Sequence, residues 1–315
     1  MKRRYFLKLG AALAYASGTL AVAAPGEAAA FAAARRIAEL PCGRIAYVEK
    51  GQGAAALFLH GAPLNGFQWR GALERLAPLR RCIAPDFMGL GYSEVPARQG
   101  LAASDQVTML AALLDALKAG QVDLVASDSG GAVAQLFLVR YPQRVRSLML
   151  TNSDVEPDSP PAGAQPAIAM ARAGTLAEAT AKWLTDRALA RATFGAAVFH
   201  DPRRFADTTI DYYVTPLVSS PLRRQQYHDF HLAMEPNPLA GIEVALRKSQ
   251  VPVRIVWGSA DTIFAQSDAD YLDRLFPRSQ GIRRVPDGKL FFQEEYPDII
   301  AQEAQRLWRA APPLA

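Results

Sequence analysis

The stretch LVASDSGGAVAQ, residues 124–135, constrains the fold of this chain more than any other. An apolar run ends in small and polar residues, two glycines follow, and apolar residues then resume at helical spacing. Such a pattern predicts a sharp turn from a buried strand into a helix, with one polar side chain at its tip. The residues flanking that tip must be small, because strand and helix backbones approach closely there. Two registers satisfy the rule: Ala126-x-Asp128-x-Gly130-Gly131, or Ser127-x-Ser129-x-Gly131-Ala132.

The turn sits inside a regular alternation. GRIAYVEKG and AAALFLHG read as strands, RRCIAPDF as another, and residues 103–119 carry apolar positions at helical spacing behind a Ser/Asp start. VDLVAS returns to strand, GGAVAQLFLVRYP forms a helix closed by Pro142, and VRSLMLTN is the next strand. Strands alternating with helices predict an α/β fold, a mostly parallel sheet covered on both faces. The rhythm breaks at VEPDSPPAGAQP, too rich in proline for either element. A mainly helical pattern runs to about residue 246, after which VPVRIVWG and GIRRVP resume the strands and YPDIIAQEAQRLWRA closes the chain as a helix. We therefore expect a core of residues 31–154 and 247–315, with 155–246 inserted as a helical cap.

Charge matters for only one question. The formal balance is +5, but Lys2, Arg3, Arg4 and Lys8 all fall in MKRRYFLKLGAALAYASGTLAVAAPGEA, where a twin arginine precedes a moderately apolar Ala/Gly-rich stretch. This leader resembles a Tat export signal, which implies the Tat translocase as a partner and a periplasmic or secreted product. Residues 1–30 are read as signal and spacer, with cleavage after Ala23 or at a later alanine. Without those four cations 31 basic residues stand against 30 acidic ones, so no basic footprint for nucleic acid remains. Outside the leader no apolar run reaches the roughly 18 residues of a spanning helix. Cys42 and Cys82 would meet an oxidising compartment after export, yet Cys82 lies in an apolar run where a buried free thiol is common, so pairing is disfavoured.

Five further motifs carry a family resemblance. HGAPLNGFQW (60–69), DFMGLGYSEVP (86–96), RYPQRVRSLMLTNSD (140–154), VWGSADTIF (256–264) and LFFQEEYPDII fall in order along the chain. With the turn at 128 they resemble the α/β-hydrolase superfamily, and within it the aspartate-nucleophile branch of haloalkane dehalogenases and epoxide hydrolases. In that family the turn is the nucleophile elbow and continues as nucleophile-x-Gly-Gly, which favours Asp128 over Ser129 as its tip. The resemblance implies an oxyanion hole from the backbone N–H groups of Ala62 and Ser129, Asp261 as the triad acid and Asp154 as the alternative acid. A carboxylate nucleophile suits alkyl halides and epoxides: it displaces at carbon, and water then attacks the resulting ester at its carbonyl. The substrate class implied is small and largely apolar, in a pocket between core and cap, with neither cofactor nor metal.

The sequence departs from the family at one decisive place. Alignment of the last motif puts Leu290 where the catalytic histidine belongs, and no histidine follows His231. His60, His228 and His231 are therefore candidate bases or substrate contacts, with Lys289, Glu294 and Glu295 as other substitutes. Ala62 and Ser129 stand where dehalogenases place their halide-binding Asn and Trp, whereas Tyr212, Tyr213 and Tyr227 are available as the cap hydroxyls that epoxide hydrolases use. Two rivals remain at this stage: a cofactor-free elimination with Asp128 as general base, and a binding protein without chemistry.

Overall fold

The computed structural model describes residues 26–311. Eight strands form one sheet: β1 (Arg35–Leu40), β2 (Gly43–Lys50), β3 (Ala55–Leu59), β4 (Arg81–Pro85), β5 (Val122–Asp128), β6 (Val145–Ser153), β7 (Val253–Gly258) and β8 (Ser279–Val285). Their spatial order is β1-β2-β4-β3-β5-β6-β7-β8. The pairs β1/β2 and β2/β4 are antiparallel, and all the others are parallel. β3, β5, β6 and β7 are buried along their whole length, which explains why their middles read as apolar runs rather than alternating ones. The edge strand β8 is half-buried and carries Arg283 and Arg284.

The first helices are α1 (Glu27–Ala33), α2 (Arg70–Leu76), α3 (Ala103–Ala116) and α4 (Ser129–Arg140). Between β6 and β7 lie only helical segments: α5 (Gln165–Arg172), α6 (Leu176–Ala181), α7 (Arg187–Ala190), α8 (Ala196–Val198), α9 (Asp207–Val218), α10 (Pro221–Leu232) and α11 (Glu243–Leu246). The chain ends with α12 (Gln266–Leu275), α13 (Phe292–Glu295) and α14 (Pro297–Ala310). α3, α4 and α12 cover one face of the sheet, in a core continuous with the insertion, while α2 and α14 cover the other.

Two elements were not anticipated. The end of the Ala-rich segment read as spacer begins α1, β1 follows it at the start of the expected core, and α1 is bound into the fold: Phe31 is buried against Phe67 and Tyr212, and Glu27 accepts from Arg70 Nε at 3.0 Å. Alanine repeats hide such elements, because one buried aromatic among seven residues makes no periodic pattern. The rest of the Tat-like leader, residues 1–25, lies outside the described residues. Cys42 and Cys82 are both free thiols. No helix among the described residues is long and apolar enough to cross a membrane.

Candidate active site

β5 ends at Asp128, whose backbone adopts φ 55° and ψ −137°, a region that L-residues enter only when the surroundings over-determine it. Its neighbours explain why the chain tolerates this. A Cβ on Gly130 would lie 2.5 Å from the His60 carbonyl oxygen, and one on Gly131 would lie 2.2 Å from Ser153 Cβ. Both glycines are therefore required, and they select the register with Asp128 at the tip. Ser129 instead begins α4, and its N–H donates to the Asp128 carboxylate at 2.5 Å.

The second amide comes from the loop after β3, where Ala62 N–H also donates to Asp128. That loop is held from below by a buried polar chain. Gly61 N–H donates to Gln68 Oε1 at 2.9 Å, and Gln68 Nε2 reaches Gln293 Oε1 at 3.4 Å. Gln293 Nε2 in turn donates to Thr151 Oγ1 at 2.7 Å and Ser127 Oγ at 3.0 Å. The sequence offered no signal for this role, since an isolated Gln is ordinarily solvated.

Asp128 and Asp154 face one cavity of about 340 Å³ between the sheet ends and the insertion. Its walls are mostly apolar, with Trp183, Phe194 and Met170 from the insertion and Leu290 from the loop before α13. The polar side chains that the insertion adds are few: Thr180 from α6, Thr193 from the turn before α8, and Tyr227 and His231 from α10. Burial pushes the Asp128 carboxyl well above its ordinary range; Asp154 and Asp261 push the same way, while the Ser129 and Ala62 amides oppose them. Burial likewise raises Asp154 to about 6, against a hydrogen bond from Ser159 Oγ at 2.7 Å and one from its own backbone N–H. Asp261 is also raised by burial, but it accepts from Asn152 Nδ2 at 2.6 Å, Ile263 N–H at 2.9 Å and Phe264 N–H at 3.4 Å.

Residues 56–296 match the α/β hydrolase fold family. This chain belongs to that family. Haloalkane dehalogenase 2 of Mycobacterium tuberculosis (strain ATCC 25618 / H37Rv) is 25% identical to this hydrolase over 286 residues, covering 82% of the present chain and 89% of the other. A haloalkane dehalogenase of Mesorhizobium japonicum is 45% identical over 105 residues, 33% of this chain and 34% of its own. The solved structure of the epoxide hydrolase CorEH shares the fold with a TM-score of 0.75 at 23% identity, covering 88% of this chain and 98% of that one.

Several expected contacts of the hydrolase lie away from the cavity, and each correction has a local cause. His60 is buried beneath the loop, donating from Nδ1 to the Gly61 carbonyl and accepting the Phe87 N–H at Nε2, so both ring nitrogens are used. His228 Nε2 accepts from Ala177 N–H at 3.0 Å. The Tyr212 hydroxyl accepts from Arg35 at 2.6 Å, in a stack with Phe67, and the Tyr213 hydroxyl donates to Glu294 at 2.8 Å. The alternatives beside Leu290 are equally engaged: Glu294 with Arg70, Glu295 with the His200 and Asp201 amides, and Lys289 with the Ala196 carbonyl. His231 alone of the four histidines lines the cavity; its Nδ1 donates to the Tyr227 carbonyl at 2.9 Å, and burial lowers its pKa to about 4. Among the described residues no histidine ring bonds to Asp128, Asp154 or Asp261.

Proposed function

We propose that the enzyme hydrolyses a small, largely apolar substrate through an ester at Asp128, and that opening of an epoxide ring is the reaction its cavity suits best. One observation carries this reading: Asp128 stands at the strained tip of the elbow, held by two amides, facing an apolar hollow. One carboxylate oxygen attacks carbon. The amides that hold the resting carboxylate are the donors that would hold the ester carbonyl, and later its oxyanion, without reorganisation.

Tyr227 favours the epoxide over the halide. Its hydroxyl pairs with Thr180 Oγ1 at 3.3 Å on the cavity wall facing the sheet, and burial pushes its pKa up to about 12, which keeps the proton available for an opening alkoxide. Ala62 and Ser129 offer a leaving halide neither of the side-chain donors that dehalogenases use. The dehalogenase names of the relatives above support the nucleophile; they do not decide the leaving group. We also infer that the twin-arginine leader directs export, which fractionation of cells carrying the full chain and an Arg3→Lys, Arg4→Lys variant would test.

Styrene oxide and 1-bromohexane in H₂¹⁸O test the chemistry. Repeated turnover should place ¹⁸O in the Asp128 carboxyl, with faster reaction of the epoxide, and Asp128→Asn should abolish both activities. Label entering product while Asp128 stays unlabelled would instead make that residue a general base, the reading that the missing histidine leaves open.

A further inference from the structure

Beside the main cavity lies a second compartment of about 30 Å³, sharing Ser129, Asp154 and Met234 with it and otherwise bounded by Gln106, Phe230 and Ser159 among others. Its size is that of one or two water molecules. Its polar lining is uneven. Gln106 is fully engaged with Met88 and Leu101, and Ser159 donates to Asp154. Ser129 Oγ, in contrast, is buried with no hydrogen-bond partner among the described residues. Asp154 accepts from no other side chain there.

We propose that this compartment seats the hydrolytic water and that Asp154, in place of a histidine, is the base that activates it. The assignment rests on Asp128 forming the ester. Ser129 Oγ and the Asp154 carboxylate supply the two polar partners a buried water needs, and Ser129 adjoins the ester that the water must reach. The water oxygen bonds to Asp128 Cγ while Asp154 takes its proton, and the oxyanion forms against the Ala62 and Ser129 amides. Collapse breaks the bond from Cγ to the product oxygen, which recovers the proton from Asp154. Asp128 is left carrying the water's oxygen and releases the remaining proton.

His231 is the rival base, but it occupies the insertion wall, does not border the compartment, and its pKa is lowered to about 4. Asp154, raised to about 6 chiefly by burial, is the stronger base; Ser159 and its own backbone N–H hold it down, while Asp158 and Asp268 push it up.

Styrene oxide is the probe, with intact-protein mass spectrometry read alongside diol formation for the full chain. Asp154→Asn should accumulate one ester per chain while turnover falls about 10²- to 10⁴-fold, the usual worth of a general base. Ser129→Ala, which keeps the backbone amide, should accumulate the same ester with a smaller loss. Turnover of Asp154→Asn within threefold of wild type, or ester accumulation in His231→Gln but not in Asp154→Asn, overturns the assignment. No ester in any variant, with Asp128→Asn as active as wild type, overturns the nucleophile reading itself and the water site with it.

Discussion

The loops after β6 and β7 each bring a buried aspartate to the same end of the sheet, and they treat it in opposite ways. Asp261 accepts from a side-chain amide and at least two backbone N–H groups, and Asn152 locks it further by accepting the Gly258 N–H at 2.6 Å. Asp154 accepts from a single side chain, the Ser159 hydroxyl, and from its own backbone N–H, and it borders the cavity. A carboxylate saturated with donors holds a loop together and has little left to give a proton. One that is buried and under-supplied has raised basicity and free lone pairs. Both residues qualify as triad acid from their motifs, and only their donors separate them.

The comparison breaks most visibly in turnover. Asp154→Asn should lower kcat by about 10²- to 10⁴-fold and Asp261→Asn by under about tenfold, measured as steady-state diol release; equal losses would mean that both acids act through some third group. Stability should move the other way. Because the folded pKa of Asp154 is raised from 3.8 to about 6, the protonated form favours the fold. Its contribution is fully present below about pH 4 and lost as pH rises through about 6. Ionisation then costs roughly 3 kcal/mol, so Asp154→Asn should have a higher Tm than wild type at pH 7 and lose that advantage by pH 4.

Asp261→Asn should instead lower stability by about 2 kcal/mol in urea unfolding, because either orientation of the amide turns an N–H against an existing donor. The pH profile sharpens the contrast further. Wild-type kcat/KM should rise with pH as the Asp128 nucleophile ionises, and the rise should shift to lower pH in Asp154→Asn, where Asp128 loses a like-charged neighbour. Smallest of all, Tyr227→Phe should slow styrene oxide by about tenfold and leave 1-bromohexane unchanged; equal effects would assign the hydroxyl to packing.

Much of the architecture was legible before any coordinates. β3, β5, β6 and β7 announced themselves because strands buried on both faces carry apolar side chains at successive positions along their middles, and the Gly130-Gly131 pair selected Asp128 because backbone approach within a turn is a local matter. α1 was missed where alanine masks the pattern, and β1 because Ala38 is its only buried residue and leaves no alternation to read. In the site, Asp128 and the amides of Ala62 and Ser129 are brought together. His60, His228, Tyr212 and Tyr213 looked equally suitable, but their polar atoms are taken by Phe87, Ala177, Arg35 and Glu294, partners between 27 and 177 positions away.

The sequence by itself determined the alternation of strand and helix, the tip residue of the elbow and the lack of any histidine beyond His231. Each follows from short-range sterics, burial periodicity or simple inspection. Only the tertiary structure decided which acid is saturated with donors and which borders the cavity, which tyrosine faces that cavity, and that a water-sized hollow adjoins Ser129. Those properties depend on donors and walls supplied by segments far apart in the chain, and no local pattern encodes which of several polar side chains will find its partner elsewhere.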